Sequence, residues 1–526
     1  MSLFLSVTPI IMLIWMMTKR RSLPSYIALP LTALVIYGIQ LIWFKNDYVL
    51  LNANIITAFI AVLTPISIIA GAILLNKLMQ ISGAENTLRA WLENISPNPV
   101  AQIMIIGWAF AFTIEGASGF GTPAAIAAPI LVGIGFPPIR VVLLTLIMNS
   151  VPVSFGAVGT PTWFGFAMLG LSDDSIFAIS HYTALIHFVA GFIIPLVALR
   201  FIVSTQQIKQ NIVYILLSVV SCSLPYFLLA QINYEFPALV GGAIGLMLSV
   251  LIARMGIGLK KCERKHQKQD IPFAKIIKAM TPTLLLIVIL IITRIHQLGI
   301  KDLLNSTAVM WQFNLGFLGN VTISKALIFE LSNVFDTGAS ANYKTLYVPA
   351  LLPFFVVVFF SIGLFRLNRQ QISEMFSQTA NQIKKPFIAL FGALIMVNLM
   401  MQGGNLSPVI IIGSSLAGVT GHSWLLFSSY LGALGTFFSG SNTVSNLTFG
   451  GIQQSIAQSL GLNINLTLAL QSVGGAMGNM VCLNNIIAVC TILGISKSEG
   501  DILKKTVLPM MLYGVIAAIM ALILSA

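Results

Sequence analysis

Charged residues are scarce in this chain: Asp, Glu, Lys and Arg make up only 8% of its 526 residues. A soluble protein of this length needs about three times that share to cover its surface. Hydrophobic residues reach 57%, and the mean hydropathy is +0.94. The shortage of charge therefore excludes an ordinary soluble protein and indicates a chain that crosses a membrane many times.

Cysteine is also rare, with four residues and no Cys-x-x-Cys pair. Three of the four lie in apolar stretches, where cysteine is typically a small packing residue. Four of the five histidines, His181, His187, His296 and His422, are scattered and lack metal-ligand spacing. We therefore expect no disulfide framework, no metal site and no cofactor.

Long apolar runs, by contrast, are frequent, and about ten of them reach the length of about 20 residues that a helical span requires. They are continuous rather than alternating, which favours helices over the strands of a membrane barrel. The first run, 3–17, is followed and not preceded by basic residues, so a membrane helix is expected there rather than a cleaved signal peptide. We predict an all-α, polytopic membrane protein with about 12–14 membrane segments.

The net charge of +13 is concentrated in short segments between the apolar runs. Segment 259–278 has seven basic residues against two acidic ones, so the positive-inside rule predicts a cytoplasmic loop, as it does for the basic segment 366–385. The nearly neutral segment 301–344 is expected outside. The loop at 259–278 separates an N-terminal transmembrane half, 1–258, from a C-terminal half, 279–526.

Two apolar regions, 100–161 and 403–495, are interrupted by Gly, Pro, Ser and Asn. Such backbone is tolerated at membrane depth only where protein or a water-filled cavity satisfies its polar groups. The regions share a Gly followed by small polar residues, in EGASGFGT (115–122) and SGSNTVSN (439–446). A duplicated, broken segment in two halves is typical of a transporter with its site at the repeat interface. We predict two repeat-related halves with broken or re-entrant helices.

A second match lies downstream, where NSVPVSFG begins at Asn149 and QSVGGAMG begins at Gln471. The spacing is similar, with 33 residues from Gly116 to Asn149 and 31 from Gly440 to Gln471. Both amides lie in apolar helices, where they can orient a carboxylate or join neighbouring helices by hydrogen bonds. Asn149 and Gln471 are candidate substrate ligands, with helix packing as the alternative.

Glu115 is the only charged residue between Val100 and Phe136. As a helix, the 16 residues from Val100 to Glu115 span about 24 Å, less than a hydrocarbon core of about 30 Å, so the carboxyl is expected deep in the membrane. An apolar setting favours the protonated carboxyl, which makes Glu115 a candidate carrier of a coupled proton. The alternative is a carboxylate that pairs with a buried cation or caps a helix.

Both broken regions have features of an anion site. Thr122 and Pro123 can begin a helix after a glycine-rich lead-in, and free N–H groups at such a start attract an anion. The second region is uncharged but rich in donors and acceptors, which suits a small carboxylate with a hydroxyl; interhelical hydrogen bonding is the alternative. Its polar side chains are Ser439, Ser441, Asn442, Thr443, Ser445 and Asn446.

At these positions the sequence resembles the lactate permease family of bacterial proton-coupled lactate and glycolate transporters. The resemblance rests on EGASGFGTPAAIAAPILVGIGFPP (115–138), NSVPVSFGAVGTP (149–161), GTFFSGSNTVSNLTFGGIQ (435–453) and GGAMGNMV (474–481). Outside these blocks the similarity is mainly one of length and hydropathy. One departure is Asn442, which stands where an Asp is common in the family.

The resemblance implies symport of L-lactate and related 2-hydroxymonocarboxylates, such as D-lactate and glycolate, with a proton across the bacterial cytoplasmic membrane. It implies a multi-pass permease that is not an enzyme, with the lipid bilayer and a small carboxylate as partners, no nucleic acid, and a possible homo-oligomer. The family's two signatures fall on Glu115, Gly116, Ser118, Gly119, Gly121, Thr122 and Pro123, and on Gly440, Ser441, Asn442, Thr443, Ser445 and Asn446.

Three alternatives stay open. The tripeptide SNT at 441–443 is similar to one that sodium-coupled dicarboxylate transporters use at hairpin tips, so sodium can replace the proton. GASG at 116–119 fits the Gly-x-Ser-Gly pattern of an intramembrane serine protease, with Ser118 as nucleophile and His181 or His187 as base. A channel is the third alternative, although a filter normally draws identical loops from several subunits rather than two different segments from one chain.

Overall fold

The computed structural model describes residues 1–18, 23–119, 122–262, 271–294, 298–348, 352–495 and 498–525. The first part of the chain contains α1 (Ser2–Thr18), α2 (Ser25–Ile42), α3 (Tyr48–Ile81), α4 (Ala84–Glu93), α5 (Pro99–Ile103), α6 (Ala111–Ser118), α7 (Thr122–Gly133), α8 (Pro138–Met148), α9 (Gly156–Trp163), α10 (Asp173–Leu199), α11 (Thr205–Gln210), α12 (Ile212–Leu229) and α13 (Pro237–Arg254).

The second part contains α14 (Phe273–Arg294), α15 (Ile300–Leu304), β1 (Val309–Asn314), β2 (Asn320–Ser324), β3 (Ile328–Val334), β4 (Ala339–Lys344), α16 (Leu352–Phe365), α17 (Arg369–Met401), α18 (Pro408–Thr420), α19 (Trp424–Ser439), α20 (Asn442–Leu460), α21 (Ile464–Gly478), α22 (Leu483–Ile492) and α23 (Glu499–Ser525). A π-helical turn, Met104–Phe110, joins α5 to α6.

The predicted helical membrane fold with broken helices is confirmed. Among the described residues, eleven helical stretches are long and apolar enough to cross a membrane, and a twelfth is counted if the pair 138–148 and 152–169, bent by 58°, forms one span. This count lies at the lower end of the predicted range. Three shorter apolar helices, α1, α7 and α16, are too short for the same criterion.

Contacts between residues divide the chain into two units. Unit 1 consists of residues 1–86 and 273–415, and unit 2 of residues 87–272 and 416–526. Each unit therefore takes segments from both predicted halves of the sequence. The halves remain a prediction about repeats, whereas the units describe which segments pack together.

In unit 1, the long helices α2, α3 and α17 pack against one another. Gly392 of α17 lies against Pro30 of α2 so closely that a β-carbon would fall 2.6 Å from the Pro30 nitrogen. On the other side, Phe59 of α3 contacts the rings of Phe387 and Phe391 edge-on. The segment 366–385, predicted as a loop, is helical from Arg369 onward, because Asn368 and Gln371 form a capping box that starts α17.

Unit 1 also contains an antiparallel sheet with strand order β1-β2-β3-β4, which the all-α prediction did not include. The sheet packs on α3 through a small apolar cluster of Ala53 and Ile60 with Leu331 and Val334. All six residues of β1 are exposed, and β1 and β3 do not alternate strictly between apolar and polar residues. β2 (NVTIS) and β4 (ASANYK) do alternate, so a period of two is present there and the all-α prediction missed it.

Unit 2 contains the first broken region, 100–161, and residues 416–495 of the second, whose first residues, 403–415, belong to unit 1. The stretch from α5 to α9 belongs to it, and so do α19 to α22. Helices α10, α12, α13 and α23 complete its core, which contains the fully buried rings of Trp108, Tyr226 and Tyr513. The candidate site lies within this unit.

Candidate functional site

The first break follows α6. Gly119 has a left-handed φ of +62°, and its N–H donates to the Glu115 carbonyl at 3.0 Å. The next helix, α7, begins at Thr122. Glycine is required at 119 because of this φ and because a β-carbon would lie 3.0 Å from the Ala157 side chain. Gly121, a predicted site residue, lies outside the described residues.

The second break has the same construction. Gly440 ends α19 with a φ of +75°, and its N–H donates to the Thr436 carbonyl at 2.8 Å. Ser441 then caps α20 by accepting a hydrogen bond from the Val444 N–H at 3.4 Å. The left-handed glycine of the first break is thus Gly119, and not Gly116, which the sequence comparison placed opposite Gly440.

Gly116 has a packing role instead. It lies inside α6, and a β-carbon on it would fall 2.1 Å from the Leu239 N–H nitrogen of α13. The short distance shows that Gly116 lets two helices approach each other, which is a common use of glycine between membrane helices. The structure therefore does not place Gly116 on the cavity described below.

The two spans that follow the breaks each end at an asparagine. Asn149 is the C-cap of α8, and Asn479 is the C-cap of α21. Asn149 therefore corresponds to Asn479 in the fold. Gln471, its counterpart in the sequence comparison, lies in the middle of α21. The counterpart of Asn149 in the fold thus lies eight residues after the one in the sequence comparison, because α20 and α21 are longer than α7 and α8.

The two breaks meet around a small cavity inside unit 2. The first region contributes Glu115 and Gly119, and the second contributes Gly440, Ser441, Asn442 and Thr443. The remaining wall consists of Val153, Gly156, Ala157, Pro161 and Asn479. Of the predicted substrate ligands, Gly119, Ser441, Asn442 and Thr443 line this cavity together with the predicted proton carrier.

Glu115 is buried, with 2% of its surface exposed. Its Oε2 accepts a hydrogen bond from Asn149 Nδ2 at 3.0 Å. No Lys or Arg forms an ion pair with it in the described part of the chain, which removes the buried cation considered in the sequence analysis. Gly156 faces the other carboxylate oxygen, and a β-carbon there would lie 2.4 Å from Glu115 Oε1. Glu115 thus stands in the cavity wall with a neutral partner.

Asn149 contacts Glu115 rather than the cavity. Its Oδ1 is buried and has no hydrogen-bond partner. Orienting a substrate carboxylate and joining helices were the two predicted roles of Asn149, and the carboxylate that it contacts in this structure belongs to the protein itself.

The turn at 155–159 is a part of the site that the sequence analysis did not single out. Ala157, Val158 and Gly159 have positive φ values of 45°, 55° and 71°. Ala157 and Val158 are not glycines, and such residues rarely adopt a positive φ. Where they do, the backbone is strained, and strain of this kind is concentrated at functional sites. The run brings Ala157 against Gly119. The only signal in the sequence is the closely spaced Gly and Pro of SFGAVGTP.

Ser445, Asn446 and Gln471 form a separate buried network. Gln471 Nε2 donates to Ser445 Oγ at 3.0 Å, and Asn446 Nδ2 donates to the Pro161 carbonyl at 2.9 Å. Gln453 Nε2 in turn donates to Gln471 Oε1 at 3.0 Å. These bonds join α20 to α21 and fasten α9 to α20. The three predicted ligands therefore support the second break from behind and do not line the cavity.

Ser118 does not have the surroundings of a catalytic nucleophile. Its Oγ donates to the Ile114 carbonyl at 2.9 Å within its own helix. His181 contacts Gln231, and His187 contacts Ser154 and Tyr513. A serine protease needs its base within hydrogen-bond reach of the nucleophile. Ser118 and Thr122 are half-buried near the first break and do not line the cavity.

The chain matches known permeases along its whole length. A family model described as L-lactate permease covers residues 2–526. The chain belongs to this L-lactate permease family. A Haemophilus influenzae protein assigned as an L-lactate permease is 56% identical over 524 residues, which cover 100% of this chain and 98% of that relative.

More distant members of the L-lactate permease family align over nearly the same length. The L-lactate permease of Escherichia coli is 24% identical over 98% of this chain and 95% of its own. The glycolate permease of the same species is also 24% identical, over 95% and 92%. A solved YdaH transporter from Alcanivorax borkumensis, with a TM-score of 0.42, 14% identity and coverage of 87% and 85%, is too dissimilar to transfer its topology. Membership in the family makes the chain a multi-pass permease of the inner membrane.

Proposed function

We propose that this permease carries L-lactate and related 2-hydroxymonocarboxylates, including D-lactate and glycolate, across the cytoplasmic membrane together with protons. The observation that carries the proposal is the cavity at which the two helix breaks meet, because one break contributes a buried carboxyl and the other a helix start. The names of the relatives, L-lactate permease and glycolate permease, support this class of substrate.

The second break suits the carboxylate of the substrate. Asn442 and Thr443 form the first turn of α20, where N–H groups have no partner within the helix. The helix dipole adds partial positive charge at this end, worth about 0.3–1 kcal/mol or more toward an anion. Among the described lining residues, none is Lys or Arg, so the anion would be bound by neutral donors. The Ser441 side chain can contribute to binding a hydroxyl group.

Glu115 suits the proton. An ionised Glu115 would repel a carboxylate in the same cavity, whereas a protonated one would not, so anion and proton are expected to enter together. The proton would travel on the carboxyl as the site changes the side to which it opens. Asn149 can serve both forms, because its amide can donate to the carboxylate or, after rotation, accept from the carboxylic acid.

Sodium coupling is the second candidate, and one observation favours it. Three buried oxygens around the breaks, Asn149 Oδ1, Asn442 Oδ1 and Thr436 Oγ1, have no hydrogen-bond partner. Oxygen atoms of this kind are ligands for hard cations. Asn442 Oδ1 and Thr436 Oγ1 both lie beside Gly475, and a sodium ion held by these two oxygens would neutralise the charge of the substrate without a proton.

Uptake into proteoliposomes tests the proposal. Purified protein is reconstituted, and labelled L-lactate, D-lactate and glycolate are followed under an inward pH gradient, an inward sodium gradient, or no gradient. Accumulation under the pH gradient alone, abolished by a protonophore, supports proton symport. Accumulation that follows sodium and ignores pH would overturn the proton assignment, and absence of uptake of all three acids would overturn the substrate class.

A further inference from the structure

His187 is fully buried in unit 2 and does not line the cavity. Its Nε2 lies 2.8 Å from Ser154 Oγ, and its Nδ1 is hydrogen-bonded to the Tyr513 hydroxyl. The Tyr226 ring packs nearby, with ring centroids 6.2 Å apart. The surrounding titratable side chains are thus two tyrosines, which are uncharged at neutral pH.

Ser154 connects His187 to the second break. Ser472 Oγ donates to Ser154 Oγ at 3.0 Å, and Asn442 Nδ2 approaches the same oxygen at 3.4 Å. The Ser472 carbonyl lies 3.1 Å from both Ser154 Oγ and Asn442 Nδ2. Asn442 is the first residue of α20, so these bonds hold the start of that helix beside the cavity.

The number of donors and acceptors determines which tautomer of His187 fits. A serine hydroxyl has one proton and two acceptor positions. The Ser472 carbonyl can only accept, and it takes the proton of Ser154 Oγ at 3.1 Å and that of Asn442 Nδ2 at 3.1 Å. Ser154 Oγ then accepts from Ser472 Oγ and from an N–H at His187 Nε2. Nδ1 carries no proton in this tautomer and accepts from the Tyr513 hydroxyl, which has no other hydrogen-bond partner among the described residues.

We propose that His187 is a positioning residue for the substrate site. As the neutral Nε2–H tautomer, it donates to Ser154, whose own proton goes to the Ser472 carbonyl that also accepts from Asn442. The first turn of α20 is thereby held in the orientation that binds the carboxylate. This inference rests on the proposed function, because it assigns that turn to substrate binding.

Substitutions of matched shape test the inference through uptake kinetics. His187→Gln places an amide group near the position of Nε2 and keeps an N–H donor for Ser154, so KM for L-lactate should stay within about threefold of wild type. His187→Asn ends near Nδ1 and loses that contact, so KM should rise about tenfold with a smaller change in Vmax. Ser154→Ala should match His187→Asn, and the double variant should add nothing further.

Three outcomes would overturn the inference. An unchanged KM in His187→Asn would show that the contact does not position the site. Equal losses in His187→Gln and His187→Asn, together with lower thermal stability, would make His187 a packing residue only. Loss of accumulation under a pH gradient in His187→Gln, with lactate exchange intact, would make it a proton carrier instead.

The tautomer can be measured without any substrate. In protein labelled with ¹⁵N-histidine, the resonances missing from His187→Gln belong to His187, and their shifts distinguish Nδ1–H from Nε2–H. The Nε2–H form supports the inference, and the Nδ1–H form overturns it. The tautomer can be measured even if the wild-type protein does not take up lactate. Failure of the proposed function and failure of the inference about His187 are therefore distinguishable.

Discussion

Asn149 Nδ2 donates a hydrogen bond to Glu115 Oε2 at 3.0 Å, and this contact joins the end of α8 to the last turn of α6 inside unit 2. Each of the two residues has a further oxygen directed elsewhere. Oε1 of Glu115 faces Gly156, and Oδ1 of Asn149 has no partner. The pair therefore couples a titratable group in the cavity wall to the end of a neighbouring span.

Glu115→Gln should abolish accumulation of L-lactate driven by a pH gradient, because the amide cannot carry a proton. Exchange of lactate across the membrane without a gradient should continue, since the uncharged side chain no longer repels the anion. Labelled uptake and counterflow in proteoliposomes measure both. Glu374→Gln, the same change at an exposed position of α17, is the control. Full gradient-driven accumulation in Glu115→Gln would contradict the assignment.

Asn149→Ala should slow uptake driven by a pH gradient about tenfold or more, because the buried carboxylate loses its donor. Asn479→Ala removes the corresponding amide of the second break, where no carboxylate is present, so it is a matched comparison. It lines the cavity and should affect KM more than the response to the gradient. Identical effects of the two substitutions would show that Asn149 is not specifically linked to Glu115.

Gly475→Ala should raise KM for lactate. A β-carbon at this position would lie 1.8 Å from Asn442 Oδ1, so the side chain that holds the start of α20 must move. Overpacking of this kind costs about 1–3 kcal/mol, which should also lower the midpoint of thermal unfolding. Gly418→Ala has no atom within 4 Å of the added carbon and should be neutral. A KM unchanged in Gly475→Ala would argue against a binding role for this turn.

Cysteine labelling should place the two ends of α14 on opposite sides of the membrane. Cys262 is exposed in the basic segment and should react with an impermeant maleimide only after cells are permeabilised. Lys325→Cys, in a Cys262→Ser background, should react in intact cells because one span separates the two positions. The buried Cys222, Cys482 and Cys490 give the background signal. Reaction of both positions from the same side would contradict the predicted topology.

Several features of this protein follow from the amino-acid sequence alone. The shortage of charge and the continuous apolar runs require membrane helices, because hydrocarbon does not satisfy backbone polar groups. Glycine and polar residues inside apolar stretches mark the two breaks for the same reason. Glu115 is visible because a lone carboxyl within such a stretch is costly. Each of these features depends only on residues that are neighbours in the chain, so a single sequence is enough to predict it.

The partners of each side chain depend on the tertiary structure. Gly116 and Gly119 look equivalent in EGASGFGT, but only Gly119 has the left-handed φ, while Gly116 packs against α13. Asn149 and Gln471 look equivalent too, yet one contacts Glu115 and the other braces α20. His187 and Ser154, 33 residues apart in sequence, meet only when α10 packs beside the turn at 152–155. Such contacts join distant segments, and local spacing does not contain that information.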